Sequence, residues 1–278
     1  MLSQPVEAGQ HIRRAGEDIV RGEVVLRAGQ VLGPPHLGIL ASLGWKKVPV
    51  YKVPTVHILA TGDELVPIGA LPAEGQIRNS TSVMLEAYVS EAGAEPTALG
   101  IATDDKRKLR KKIQEGLNAH VLLITGGVSV GAYDFVGAVL AEIGVDVKFW
   151  KVNVKPGKPL LFGVLDDTLV FGLPGNPVST CITFLRFVRP ALYKMMGRVF
   201  DTALCFRAII DHDIHKGDTR RQYLRGIVHQ TDKEWHVRTT GSQSSGVLSS
   251  MAKANCLIML PEDTRAVRAG EWVDIELL

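Results

Sequence analysis

Apolar runs of strand length alternate with helical patterns through the middle of the chain. Residues 53–60 (VPTVHILA) form an apolar, β-leaning run that ends in a polar loop, and residues 80–92 repeat their apolar positions at helical spacing. Further strands are predicted at 96–102, 121–125 and 145–154, and further helices after Asp105, over about 133–143 and from Pro177 to Gly197. Because strands alternate with helices, we expect an α/β fold, a three-layer α/β/α domain with a mainly parallel sheet over residues 53–198.

The two flanking parts have different patterns. Residues 1–52 are rich in Gly and Val and contain one short helical pattern over His36–Leu43, which predicts a partial N-terminal β/α scaffold segment. After Gly197 the β-leaning stretches are short and turn clusters separate them: 203–211, 222–229, 234–240, 256–260 and 271–277. This part predicts a small C-terminal β-domain over residues 199–278.

Composition then limits the class of protein. The 278 residues are 46% hydrophobic and 22% charged, which is enough apolar matter for a core and excludes a disordered chain. A net charge of +3 gives no field that would favour nucleic acid. Three cysteines without a CxxC pair fit a reducing compartment, and neither a signal peptide nor a membrane-length apolar run is visible. We therefore expect a cytoplasmic protein with neither nucleic-acid nor membrane partners.

Two acidic loops follow predicted strands, where ligands bind in an open parallel sheet. In the first, Thr61-Gly62-Asp63-Glu64, a hydroxyl and two carboxylates suit a hard cation such as Mg²⁺, although an acidic helix start explains them equally well. In the second, Thr103-Asp104-Asp105, Thr103 as N-cap with acids in the first turn is a sufficient structural explanation.

A glycine-rich loop follows the strand at 121–125. Gly126, Gly127 and Ser129 lead towards Asp134 and a helix, an arrangement that offers backbone N–H groups to an anion. The loop lacks the GK[ST] ending of a P-loop and does not match GxGxxG. It therefore indicates a phosphate-like ligand without naming a nucleotide fold.

A lysine-rich segment, KVNVKPGKP, begins at Lys151. On an extended strand Lys151, Asn153 and Lys155 would share one face by the period of two, and Lys158 follows a Pro-Gly turn. Three lysines in so short a stretch are able to neutralise an anionic ligand.

Two other charged segments have simpler explanations. Residues 211–215 (DHDIH) carry metal-ligand types, but alternation places His212 and the acids on different faces, which favours a solvated strand end. The basic run at 106–112 is best explained as a solvated helix face, because no aromatic residues alternate with its cations for stacking on nucleic acid.

Taken in order, these loops resemble those of the molybdopterin molybdenumtransferases (MoeA and the E domain of gephyrin), over essentially the whole chain. The matching segments are GEDI, ASLG, TGDEL, GQIRNS, TDD, TGGVSVGAYD, FWKVNVKPGKP, GLPGNPVS and GSQSSGVLSSMAKANCLIMLPED. The resemblance implies an enzyme of molybdenum cofactor biosynthesis. Such enzymes bind adenylylated molybdopterin and molybdate, cleave the adenylate in a Mg²⁺-dependent step, and release molybdenum cofactor and AMP.

The resemblance also implies roles for individual residues. Glu64, Asp104 and Asp134 match the family's functional acids, which we expect to organise Mg²⁺ and the pyrophosphate. Lys151 and Lys155 match functional lysines that would stabilise developing charge, so that Asp134, Glu64 and both lysines are the catalytic candidates. The candidates for substrate binding are Thr61, Gly126, Gly127, Ser129, Lys158, Pro174, Pro177, Ser245, Arg13 and Asp18.

The match implies a homodimer, since the family brings the residues matched by Arg13 and Asp18 to the active site across a dimer. A molybdopterin adenylyltransferase is a further expected partner. The chain departs from the family pattern at Thr81, where Asn is expected, and at its start, where family members carry a longer N-terminal region. We therefore expect a fragment or a short form with reduced activity.

Two other functions stay open. A molybdopterin adenylyltransferase would share the α/β domain and a similar Gly-Gly-Ser loop, but it is normally a single domain and would not explain the segment after residue 199. A non-catalytic molybdopterin-binding or scaffold module would keep the ligand without turning it over.

Overall fold

A computed structural model describes residues 7–127, 135–198, 205–231 and 233–278. They fall into two compact units, one of residues 7–50 with 197 and 198, the other of residues 51–196 and 205–278. In the first unit, helix α1 (Pro34–Ser42) begins with a proline in its first turn, where the missing N–H costs nothing. The strand expected in this segment is not found among residues 7–50.

The second unit contains the remaining helices and all the strands that the structure describes. The helices are α2 (Ser80–Glu91), α3 (Lys106–Gly116), α4 (Phe135–Ile143), α5 (Pro177–Thr183), α6 (Arg189–Met195) and α7 (Leu248–Ala252), with a π-helical turn (Phe184–Val188) joining α5 to α6. The strands are β1 (Thr55–Thr61), β2 (Leu65–Val66), β3 (Ile77–Arg78), β4 (Glu95–Ala102), β5 (Val121–Thr125), β6 (Asp146–Trp150), β7 (Val154–Lys155), β8 (Leu161–Leu165), β9 (Thr168–Leu173), β10 (Cys205–Ile210), β11 (Ile214–His215), β12 (Arg221–Gln230), β13 (Trp235–Thr239), β14 (Cys256–Leu260), β15 (Ala266–Val267) and β16 (Trp272–Leu277).

The first large sheet has the strand order β4-β1-β5-β9-β8-β6. Strands β4, β1, β5 and β9 run parallel, whereas β8 pairs antiparallel with both β9 and β6. A tight turn with Asp166 at φ 49° joins β8 to β9, and so short a connection permits only an antiparallel pair. The predicted mainly parallel sheet is confirmed for its central strands, while the hairpin at its edge was not predicted.

Helices cover both faces of this sheet because its central strands are apolar on both sides. Ile58 of β1 packs into one core cluster with α2 and α5, and the next residue, Leu59, packs into another with α3 and α4. Leu123 and Leu122 of β5 divide in the same way. The expected three-layer α/β/α arrangement is therefore confirmed.

The second large sheet has the order β13-β10-β16-β14-β12-β7, and β13 also pairs with β12, which closes it into a barrel-like sheet. All five β-leaning stretches after Gly197 contribute a strand to it, so the C-terminal β region is confirmed. Its last strand, β7, comes from the segment before residue 199 and runs parallel to β12. The predicted single strand over 145–154 is wrong, because a positive φ of 76° at Lys151 ends β6 before β7 begins.

A buried ion cluster joins strand β16 of the second sheet to the helical segment that packs on the first sheet. Glu276 of β16 pairs with Arg186 in the π-helical turn and with Arg189, whose Nη2 lies 2.9 Å from Oε1. The Arg186 guanidinium also lies 4.5 Å from the ring centre of Tyr223 on β12. The segment from Pro177 to Met195 is thus fixed against the β region by charge as well as by its apolar face.

We predict that Glu276→Gln lowers the free energy of unfolding by about 3 kcal/mol, because it leaves two arginines in a largely buried site without their counter-ion. Urea unfolding measures the change. Glu262→Gln is the control, since Glu262 pairs with Arg221 3.3 Å away where both side chains are about half exposed, and such pairs contribute less than about 1 kcal/mol. Equal effects of the two variants would contradict this interpretation.

Candidate functional site

A cleft of about 620 Å³ lies at the carboxyl ends of β1, β5 and β9. Thr61 and Thr125, the last residues of β1 and β5, are buried at its base, and Pro174 follows β9 directly. Since parallel strands all present their carboxyl ends at one edge, the topology alone brings these loops together. The cleft is lined by Thr61, Glu64, Leu65, Ile77, Arg78, Ser80, Thr81, Thr125, Gly126, Gly127, Pro159, Pro174, Gly175, Asn176, Pro177, Gly246 and Leu248.

The base of the cleft requires glycine at two positions. Gly126 and Gly127 have φ of +85° and +59°. A Cβ on Gly126 would lie 2.3 Å from the carbonyl oxygen of Thr61, and one on Gly127 would lie 2.9 Å from Thr61 Oγ1. Glycine is therefore required at both positions, because φ is positive and because the loop after β5 passes close to the end of β1. The lack of side chains at these positions leaves room for a ligand at the base of the cleft.

The opposite wall joins the start of α5 to a loop of the β region. Asn176 precedes α5 and Pro177 is its first residue, as expected, but the Asn176 side chain makes no capping bond to the helix. Its Nδ2 instead donates to Ser245 Oγ at 3.1 Å, and the Val178 N–H donates to the Ser245 carbonyl at 3.1 Å. Ser245 thereby holds the loop before α7 against the N-terminus of α5, at the edge of the cleft.

Acidic side chains cluster beside the cleft. Glu64 lines it, and the N–H of Asp104 donates to Asp63 Oδ1 at 3.0 Å. Partial burial, followed by the negative charges of Asp63 and Glu64, raises the pKa of Asp104. Within the described residues no group of three or more His, Cys, Asp or Glu side chains is arranged to hold a metal ion.

The N-cap of α3 differs from the expected one. Asp105, not Thr103, caps the helix, because its carboxylate accepts the Lys108 N–H at 2.8 Å. That hydrogen bond is the main cause of the lowered pKa of Asp105. Asp104 lies outside the cap and is left facing Asp63 and Glu64, so capping does not explain its presence.

Lys151 and Lys155 do not lie on one extended strand, so the expected shared face of Lys151, Asn153 and Lys155 is not formed. Lys151 lies in the break between β6 and β7, with its Nζ 5.1 Å from the ring centre of Trp150. Lys155 lines a second cavity of about 330 Å³, together with Arg225, and forms an ion pair with Asp218. Lys158 is exposed and directly precedes Pro159 of the first cleft.

The remaining candidates lie elsewhere. Ser129 and Asp134 are outside the described residues. Arg13 and Asp18 are exposed in the first compact unit. Thr61, Glu64, Gly126, Gly127, Pro174 and Pro177 are the candidates that the structure brings together in the first cleft.

Sequence reasoning missed Arg78, which lines this cleft, and noted Thr81 only as a departure from the family pattern. Arg78 is the only cation among its described lining residues; its Nε donates to the Ala70 carbonyl at 3.2 Å, and Ile77 beside it donates to the Glu64 carbonyl. Thr81 is buried and donates to Asn79 Oδ1 at 3.2 Å. Both belong to the segment GQIRNST, whose position after the TGDEL loop was the available signal.

We predict that Gly126→Ala destabilises the protein more than Gly100→Ala does, measured by thermal or urea unfolding. Gly100 has a similar φ of +83° and open space around it. Gly100→Ala therefore lowers the free energy of unfolding only through backbone strain, by about 1 kcal/mol. Gly126→Ala adds the clash with Thr61, which we expect to cost about 2 kcal/mol more. Equal losses would mean that the loop moves away freely and that the base of the cleft is not fixed.

Among the described residues no helix has the length and apolar character needed to cross a membrane.

Three family models match the chain in succession. Residues 2–44 match the MoeA N-terminal region (domains I and II), residues 57–194 a "probable molybdopterin binding domain", and residues 207–278 the MoeA C-terminal region (domain IV). The molybdopterin molybdenumtransferase of Haemophilus influenzae is 38% identical over 99% of this chain and 69% of its own length, and that of Bacillus subtilis is 34% identical over 100% and 65%. The chain thus spans about two thirds of the length of these relatives.

Solved structures give the same result for the fold. Two structures of the molybdopterin biosynthesis MoeA protein from Pyrococcus horikoshii match with TM-scores of 0.80 and 0.76 at 31% and 32% identity. The first match covers 94% of this chain and 64% of the Pyrococcus chain, and the second covers 95% and 63%.

Proposed function

Since this chain belongs to the molybdopterin molybdenumtransferase family, we propose that it inserts molybdate into adenylylated molybdopterin and releases AMP. The observation that carries the proposal is the cleft, where two glycines at the base, the start of α5 and the carboxylate of Glu64 line one space, with Asp63 and Asp104 beside it. A substrate with a pyrophosphate needs such a combination of N–H donors and cation ligands.

The anionic parts of the substrate would contact the base of the cleft and the start of α5. The backbone at Gly126 and Gly127 approaches the end of β1 without a side chain in between, and the N-terminus of α5 carries partial positive charge. Pro174 and Pro177 would fix the shape of this loop. Arg78, the cation that lines the cleft, would pair with a phosphate oxygen.

Magnesium would bind at the acidic cluster. Glu64 and Asp104 would hold the ion together with Asp134, and partial burial, followed by the negative charges of Asp63 and Glu64, raises the pKa of Asp104. Mg²⁺ commonly takes one or two protein carboxylates and completes its shell with substrate phosphates and water, so a full protein cage is not needed. When bound, it would neutralise charge on the pyrophosphate.

The lysines would stabilise charge that develops during transfer. Lys158 lies next to the first cleft through Pro159, while Lys155 lies at the second cavity with Arg225, and Lys151 lies at the break between the sheets. Ser245, held by Asn176, would contribute its hydroxyl at the edge of the first cleft. Ser129 and Thr61 complete the proposed substrate-binding set.

Arg13 and Asp18 would act from a second copy of the chain in a homodimer. A molybdopterin adenylyltransferase would supply the adenylylated substrate as a partner enzyme, and the reaction would take place in the cytoplasm. These proposals rest on the family, whose members exceed this chain in length.

We predict molybdate-dependent AMP release when the chain is incubated with adenylylated molybdopterin, Mg²⁺ and molybdate. Chromatographic detection of AMP and reconstitution of a molybdenum enzyme measure the two products. Asp134→Asn should abolish turnover, because the carboxylate proposed to hold Mg²⁺ loses its charge, and unchanged AMP release in that variant would remove its assigned role.

The same assay separates the other two functions. Binding of the substrate without AMP release would support a non-catalytic molybdopterin-binding or scaffold module. ATP-dependent adenylylation of free molybdopterin would replace the proposal by an adenylyltransferase.

A prediction on stability tests the cation site without turnover. Asp104 has a raised pKa in the folded state, so its carboxylate destabilises the fold at neutral pH, and the penalty disappears as the pH falls below the ordinary value of 3.8. Asp104→Asn should therefore raise the melting temperature at about pH 7 and have little effect at about pH 3. Mg²⁺ should raise the melting temperature of the parent chain more than that of the variant.

Asp105→Ala is the control, because the neighbouring carboxylate has a lowered pKa and caps α3. Its contribution is present above the ordinary pKa and is lost as the pH falls, so this variant should lower the melting temperature at about pH 7. A destabilising effect of Asp104→Asn, or an equal response of both chains to Mg²⁺, would speak against a cation site at Asp104.

A further inference from the structure

Asp218 is a carboxylate that several donors surround at the rim of the second cavity. Lys155 Nζ lies 3.0 Å from its Oδ2 and Arg220 Nη2 lies 2.8 Å from the same oxygen. The other oxygen, Oδ1, accepts the Arg220 N–H at 3.1 Å and Gln222 Nε2 at 3.4 Å. Both oxygens of one carboxylate are thus occupied, and one of the donors is a lysine proposed to be catalytic.

The backbone of Lys155 is fixed by pairing between sheets, but its side chain is not. Lys155 lies opposite Gln222 in the parallel pair of β7 and β12, and the Arg221 N–H donates to the Asn153 carbonyl at 3.1 Å. The side chain is 46% exposed and has four rotatable bonds, so burial alone does not set the position of its ammonium group. The contact that the structure gives to this ammonium group is the ion pair with Asp218.

Asp218 is suited to that task because it is held more firmly than the lysine. Its side chain is 24% exposed, about half the exposure of Lys155. Burial acts to raise its pKa, but the hydrogen bonds from Arg220, Lys155 and Gln222 outweigh this and hold the pKa of Asp218 well below its usual range. The group is therefore an anion throughout the pH range of the assays.

We propose that Asp218 is a positioning residue, whose carboxylate orients the Lys155 ammonium at the rim of the second cavity for contact with the anionic substrate. This inference rests on the proposed function, which makes Lys155 catalytic. An ion pair this exposed contributes little to stability, so its consequence is the direction of the lysine rather than the strength of the fold.

Kinetics of AMP release test the proposal. Asp218→Asn should lower kcat about tenfold at saturating substrate with a smaller change in KM, since a displaced catalytic group chiefly affects the transition state. Asp218→Glu should restore part of the rate. In a Lys155→Ala background Asp218→Asn should have no further effect, because both changes remove the same interaction.

Glu262→Gln is the matched control, since it breaks the exposed ion pair with Arg221, the neighbour of Gln222 on β12. It should leave kcat unchanged, because Glu262 contacts neither Lys155 nor Asp218. Full activity of Asp218→Asn, or additive losses in the double variant, would overturn the proposal.

A second measurement does not depend on turnover. Trace acetylation with acetic anhydride, followed by mass spectrometry, gives the reactivity of Lys155 relative to Lys158 in the same segment. Release of Lys155 from Asp218 should raise this ratio at least about twofold in Asp218→Asn and leave it unchanged in Glu262→Gln.

The two measurements separate the two proposals. If the parent chain releases no AMP, the proposed function fails, and the acetylation ratio alone decides whether Asp218 holds Lys155. An unchanged ratio in Asp218→Asn overturns the inference whether or not the chain is active.

Discussion

The chain passes from one sheet to the other within residues 151–155, and both cavities depend on that passage. A positive φ at Lys151 ends β6 at the edge of the first sheet, and Val154 and Lys155 then pair with β12 in the second. The connection is too short to allow the sheets to separate. It therefore fixes the β region beside the α/β layers, where the loop around Ser245 reaches the start of α5.

Buried arginines also hold the β region against the α/β layers. Arg225 on β12 is fully buried, and its Nη2 donates to the carbonyls of Ser242 and Ser244 at 3.2 and 3.1 Å, while its Nε donates to Ser250 Oγ. Burial lowers its pKa, the expected effect on a cation removed from water. The guanidinium thus organises the segment that carries Ser245, and Glu276 with its two arginines fixes the helical segment opposite.

The sequence allowed prediction of what depends on local pattern. The runs at β1 and β5, the five strands of the β region and the glycine loop after β5 follow from short-range periodicity and turn residues. The N-cap of α3 was placed two residues early, at Thr103, because Thr and Asp both serve as N-caps and only the position of the helix start distinguishes them.

The lysines show why the remainder was beyond prediction. The expectation that Lys151 and Lys155 share a face assumed an extended backbone at Lys151, whose φ of 76° reverses that geometry. The strand partner of Lys155 is Gln222, far along the chain, and no local pattern contains that pairing. Arg78 was missed for a related reason, since it reaches the cleft through the pairing of β2 with β3, two strands of two residues each.

The two cavities carry charged side chains: carboxylates lie at or beside the first, and Lys155 lies at the second. Beside the first cleft, partial burial, followed by the negative charges of Asp63 and Glu64, raises the pKa of Asp104. At the second cavity Asp218 pairs with Lys155 and with Arg220. In the proposed function a cation would relieve the repulsion between the acids, while Asp218 would keep the Lys155 ammonium directed towards an oxyanion of the substrate. The acids follow strands of the first sheet and Lys155 belongs to the second, so the two groups keep their places through every contact between the sheets: residues 151–155, the Glu276 cluster and the bond from Asn176 to Ser245.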